Sequence, residues 1–147
     1  MPETEVRLIA RARTAGVRQV SGTAESKRIM NLLADLSVQP LHPFPNPRKR
    51  LQVPNMYGVY VIRGPAGKVW HGGRTVRGKN RLRQRLQNHL QGQSSFVRAA
   101  LSGDGSKLRT TFVYQYLELP NERKRALLEC MGAGWHSSRH IGRGLKR

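Results

Sequence analysis

Acidic side chains are scarce in this chain: 8 Asp and Glu stand against 27 Lys and Arg, a formal net charge of +19. Between Leu36 and Gly103 there is no carboxylate at all, while 12 basic residues accumulate. A surface so unbalanced favours a polyanion over another globular protein surface, nucleic acid first, because each phosphate neutralised by Lys or Arg releases condensed counterions. Cysteine is scarcer still. Cys130 stands alone, which excludes an internal disulfide framework and fits a reducing compartment. No apolar run approaches the ~20 residues of a membrane span, and Met1 to Glu5 lacks the basic start and apolar stretch of a secretory signal. A cytoplasmic protein with no membrane partner is therefore expected. With 37% apolar residues in a chain of 147, one domain with a modest core and an appendage is the default.

Three zones organise what is there. From residue 1 to 38, Val6, Leu8 and Ile9, then Ile29, Met30, Leu32, Leu33 and Leu36, recur at roughly helical spacing, with Thr23 placed to cap. This reads as an N-terminal helical extension. Residues 39–50 hold four prolines in the run Q-P-L-H-P-F-P-N-P, which blocks helix, followed by the basic triplet Arg48, Lys49 and Arg50. They read as a proline-rich basic linker. The folded core is expected over 51–147. There, Met56 to Arg63 predicts a strand, Gly64 to Gly67 a turn and Lys68 to Gly72 the returning strand of a β-hairpin. Asn80 is placed to cap a helix from Arg81 to Gln91, and Ser94 or Ser95 a shorter one through Leu101. The β-branched and aromatic run Leu108 to Leu119 predicts a strand, and Asn121 caps a last helix through about Met131. The order β-β-α-α-β-α predicts an α+β fold, a small antiparallel sheet flanked by helices.

Residues suited to phosphodiester hydrolysis crowd into this core. The reaction needs a deprotonated nucleophile, cations on the phosphoryl oxygens and help for the leaving group, commonly from a divalent metal. Tyr60 lies on the first strand. His71, followed by Gly72 and Gly73, carries an imidazole whose ordinary pKa suits a general base, and the glycines allow close backbone approach. Arg74, Arg77, Lys79, Arg81, Arg83 and Arg85 put six cations into twelve residues, which repel one another unless an anion lies nearby. Arg85 and His89, four apart, project from one helix face beside Leu82, Leu86 and Leu90. Glu129 falls among Leu127, Leu128 and Met131, where a carboxylate is costly unless it pairs with a cation or binds metal. Cys130, His136 and His140 have the spacing C-x5-H-x3-H, a weaker pattern for zinc.

Gly58-Val59-Tyr60, ten intervening residues and His71-Gly72-Gly73, followed by the L-x-x-R-L-x-x-H of Leu82 to His89, resemble the GIY-YIG nuclease family over about Tyr57 to Trp135. His71 stands where that family usually has its second tyrosine. The resemblance implies that Tyr60 and the group at position 71 help activate the attacking water, that Arg85 contacts the scissile phosphate, and that Glu129 holds magnesium or manganese. It leaves His89 as proton donor, phosphate ligand or helix-surface residue. Family members often carry a bracing asparagine beyond the metal helix, and none follows Glu129 here.

The function expected is a metal-dependent endonuclease hydrolysing DNA, with RNA not excluded as substrate. Arg74, Arg77, Lys79, Arg81, Arg83, Arg48, Lys49 and Arg50 would hold flanking phosphates, and a homodimer would let one active site per protomer cut both strands. The alternatives are a non-cleaving module that keeps the fold and the basic groove, and a basic structural RNA-binding protein.

Overall fold

The computed structural model describes residues 22–78, 80–141 and 145–146, the last two through their backbone alone. The expected helix around Val6 to Ile9, together with Lys79, lies outside the described residues. Among those described, no helix is long and apolar enough to cross a membrane.

Helix α1 (Ala24–Ser37) begins where Thr23 Oγ1 accepts the Ser26 amide at 3.0 Å, the cap the sequence predicts. Its Ile29, Leu33 and Leu36 recur at helical spacing and are buried. Strand β1 (His42–Pro43) follows in the proline-rich run, and Phe44 beside it is 3% exposed. The hairpin is β2 (Gly58–Arg63) and β3 (Val69–Arg74), paired Tyr60 to Gly73 and Ile62 to His71. Its turn uses left-handed backbone at Ala66 and Gly67. Helices α2 (Leu82–Leu90), α3 (Ser95–Ala100) and the short α4 (Leu108–Thr111) lead to β4 (Val113–Glu118). Helix α5 (Glu122–His136), capped by Asn121, precedes β5 (His140–Ile141) and β6 (Leu145–Lys146).

The fold is α+β, with a mostly antiparallel sheet in the order β1-β4-β2-β3-β5-β6. The predicted β-β-α-α-β-α order holds within it, to which the structure adds α4 and the short strands β1, β5 and β6. Strand β2 is central, and its alternation feeds two cores. Val59 and Val61 pack with α1 and Leu128 of α5 on one face. Tyr60 and Ile62 pack with Leu82, Leu86, Phe96 and Leu108 on the other.

Three boundaries differ from expectation, each for a local reason. The strand expected from Leu108 starts only at Val113. Asp104 accepts the Ser106 amide at 3.0 Å and opens a helical turn that carries Leu108, fully buried, into the core. Helix α2 is entered at Arg81 rather than capped by Asn80, because the Leu82 amide donates to the Met56 carbonyl at 3.0 Å. Helix α5 runs past Met131 to His136, and Ser137 ends it with left-handed backbone (φ 47°).

Buried Arg125 braces the hairpin where it opens. Its Nε donates to Thr75 O and its Nη1 to Leu119 O, both at 3.0 Å, and its guanidinium lies over the Tyr57 ring at 4.9 Å. Thr75 in turn accepts the Gly58 amide through Oγ1 at 3.0 Å. One cation thereby satisfies backbone acceptors from the ends of β3 and β4.

Candidate active site

Beyond β3 the sheet is poorly paired: β5 meets it only where His71 lies opposite His140. The edge from Gly72 to Arg74, without side chains at its first two positions, opens into a cleft of about 630 Å³. Into it face His71 and Arg74 of β3, Arg85 and His89 of α2, and Glu129 and Cys130 of α5, with His140 of β5. Of the residues expected to act, His71, Arg85, His89 and Glu129 thus share one cavity, although three separate elements supply them.

Tyr60 is placed differently. It is fully buried beneath β3 and does not line the cleft. A Cβ at Gly73 would run into its phenol, so the second glycine of the triplet is required by the tyrosine behind it and not by a turn. Tyr60 Oη lies 2.6 Å from His89 Nε2, and His89 Nδ1 lies 2.7 Å from Ser94 Oγ. Ser94 also accepts the Val97 amide at 3.2 Å, capping α3. One hydroxyl therefore fixes both a helix end and the His89 ring. With Nδ1–H donating to Ser94, Nε2 accepts from the phenol.

His71 is stacked flat on Phe96, 5° between planes and 4.9 Å between centroids. Its Nδ1 is 3.2 Å from Nδ1 of His140. Burial, the neighbouring His140 and the Arg85 charge bring its pKa down to about 3. Burial, followed by the His71 and Arg85 neighbours, holds His89 well below its ordinary value as well. Burial raises the Tyr60 phenol to about 12 against the pull of Arg85. Both imidazoles and the phenol are therefore neutral at neutral pH, hydrogen-bonding groups in place of charges.

The fixed charges are Arg85, Arg74 and Glu129. Arg85 acts on Tyr60, His71, His89 and Glu129 alike, on Tyr60 also through a side-chain hydrogen bond, and its Nε is buried with no hydrogen-bond partner among the described residues. A desolvated guanidinium N–H left without an acceptor is costly. Glu129 Oε1 is 3.5 Å from Arg74 Nη1, with both side chains about one-third exposed (33% and 35%). The cation that pairs with Glu129 is thus Arg74. Burial raises the Glu129 pKa despite the two arginines.

The remaining cations lie elsewhere. Arg77, Arg81 and Arg83 are exposed outside the cleft walls. Arg83 Nε donates to Val53 O at 2.8 Å, and Arg81 covers the Tyr57 ring at 4.7 Å. Arg48, Lys49 and Arg50 are exposed too, and the last two border a separate hollow at the β1–β4 end of the sheet with Arg109. Cys130, His136 and His140 do not assemble: among the described residues no group of three or more His, Cys, Asp or Glu is disposed to hold a metal.

Sequence reading missed Phe96, which orients His71, and Ser94 in its second role on His89. It considered His140 only as a zinc ligand, yet that ring closes the cleft against His71 from 69 residues away. Ser94 left a trace in the sequence, since a helix cap close behind an α2 histidine is within reach of it. No spacing rule links positions 71 and 140.

No protein-family model matches the chain, and no curated protein matches it.

Proposed function

We propose that the cleft at the open edge of β3 is the active site of a metal-dependent endonuclease hydrolysing DNA, similar to GIY-YIG nucleases. The observation that carries the reading is the convergence of Arg85, His71, His89 and Glu129 on one cavity, with the Arg85 Nε–H buried and without a partner among the described residues. A phosphate is the acceptor that this donor suits best, in a protein of net charge +19.

The roles follow from charge state. Arg85 binds the phosphoryl oxygens and stabilises the charge that grows on them during attack. His71, neutral and lining the cleft, accepts a hydrogen bond from the attacking water and orients it. A conjugate acid near pKa 3 makes it a weak base, so orientation outweighs proton abstraction. The Tyr60–His89–Ser94 chain holds the Nε2 face of His89 in place. Glu129 offers a single carboxylate at the cavity wall. Such a donor fits magnesium or manganese, hard cations that take most ligands from water and substrate phosphates. Bound there, the ion would supply Lewis-acid stabilisation of the phosphoryl oxygens.

A second reading, a non-cleaving nucleic-acid-binding module, is favoured by two observations. Glu129 is already paired with Arg74, and Tyr60 is sealed behind Gly73. Incubating supercoiled plasmid with the protein and magnesium or manganese separates the two on a gel. Nicked or linear DNA that EDTA prevents supports the nuclease; a retarded but intact plasmid with either metal supports the module and overturns the nuclease.

A further inference from the structure

Around the end of α5, away from the cleft, the chain builds a second hollow of about 630 Å³. Trp135 stands on its rim with 59% of its surface exposed. Single exposed apolar side chains need no explanation, but this indole is not solitary. Trp70 lines the same hollow, its ring held edge-on by Phe112 at 5.0 Å and covered by the Arg139 guanidinium at 4.2 Å. Arg63 and Lys68 complete the walls, and among the described residues no carboxylate does.

Trp70 reaches this position through the bulge in the hairpin. The register slips after Ile62, so that Arg63 pairs with Val69 and Trp70 has no partner of its own on β2. The next residue, His71, turns into the catalytic cleft. Neighbouring residues of one strand thereby serve two cavities.

Open indole, a guanidinium already placed over a second indole, and cations with no carboxylate among the described lining residues are the chemistry that receives a base and its phosphate together. The base stacks on the ring and the cations hold the backbone. A duplex interior cannot present a base face to such a surface, whereas an unpaired nucleotide can. We infer that the Trp135–Trp70 hollow is a binding site for unpaired nucleotides of single-stranded nucleic acid. The inference rests on the nucleic-acid reading above for its ligand and not on cleavage.

The test is tryptophan emission titrated with a short oligothymidylate, and with a blunt duplex of the same length, in EDTA so that no cutting intervenes. Expected is quenching by the single strand and not by the duplex. Trp135→Ala should bind the oligothymidylate on the order of tenfold more weakly, as loss of one stacked base predicts, with duplex affinity unchanged. Trp135→Phe should keep the affinity and lose the share of the quenching that comes from Trp135, leaving only that of Trp70. Because the side chain is mostly exposed, circular dichroism of both variants should match wild type. Equal single-strand affinity in Trp135→Ala overturns the inference, as does quenching in Trp135→Phe as deep as in wild type. So does a shift from dimer to monomer in Trp135→Ala, which would make the patch a protein interface. Plasmid left uncut with metal, alongside a normal quenching response, refutes the nuclease alone and leaves this site standing.

Discussion

Acidification probes the most unusual group in the cleft, since His71 is buried neutral with its pKa at about 3 against an ordinary 6.5. In the unfolded chain the same imidazole takes up a proton near its ordinary value. The folded-state value is depressed, so the stability this residue contributes is complete above about pH 6.5 and is lost as pH falls from there toward 3. At about pH 5 the loss from His71 alone is about 2 kcal/mol, which for a chain of this size lowers Tm by about 4–8 °C relative to about pH 7.5. His89, shifted the same way, adds to the fall. Glu129 works oppositely, because its raised folded-state value favours folding as pH drops, so it does not mimic the effect. The assay is thermal unfolding by circular dichroism across this range, wild type against His71→Asn. The variant's pH slope, not its absolute stability, carries the answer, and it should be shallower by about the stated 2 kcal/mol at pH 5. Activity, if present, should show no acid limb between about pH 6 and 8 from this histidine. Parallel slopes in wild type and variant, or a His71 proton resonance titrating near 6.5, would refute the buried neutral imidazole.

Arg85→Ala should lower turnover by about a hundredfold or more, whereas Arg83→Ala, exposed and outside the cleft, should weaken binding to all sequences alike and reduce the salt slope by about one; equal effects on turnover would demote Arg85 to one cation in a patch. Glu129→Gln should abolish metal-dependent cleavage in the plasmid assay and leave binding and Tm nearly unchanged, because its one-third-exposed pair with Arg74 is worth less than about 1 kcal/mol; full activity would remove the metal role. Gly73→Ala should cost about 1–3 kcal/mol in denaturant melts, since the added methyl meets the Tyr60 phenol. Gly72→Ala makes only ordinary contacts at 3.6 and 3.7 Å and should stay within about 0.5 kcal/mol; the reverse order would refute the packing argument.

What could be read from the sequence was whatever neighbours in sequence decide. Thr23, Ser94 and Asn121 announce helices because a capping oxygen acts on amides two or three residues ahead. The hairpin was legible for the same reason, its turn being written in Gly64 to Gly67. The strand expected from Leu108 failed because β-propensity describes a surface to be packed, and here Leu108 found its core contacts through a helical turn. Strands β1 and β5 were invisible because two residues carry no periodicity; only their partners define them.

The candidate site divides along the same line. Arg85 and His89 were legible as a pair because a helix puts i and i+4 on one face, and Arg74 because it follows directly on the glycine pair. Their relation to Glu129 and His140 is set by how α5 and β5 cross the open edge of β3, and long-range packing leaves no local mark. The charge states are further still from the sequence. An imidazole at position 71 suggests a base near neutral pH, yet Phe96, His140 and Arg85 surround it and strip that property away. The residue that departs from the GIY-YIG pattern is thus also the one whose chemistry is most altered by its surroundings. What it retains is a neutral imidazole in the cleft wall; in the tautomer that donates Nδ1–H to His140 its Nε2 is a bare acceptor, and an acceptor is the part of a base that orients water without needing to remove its proton.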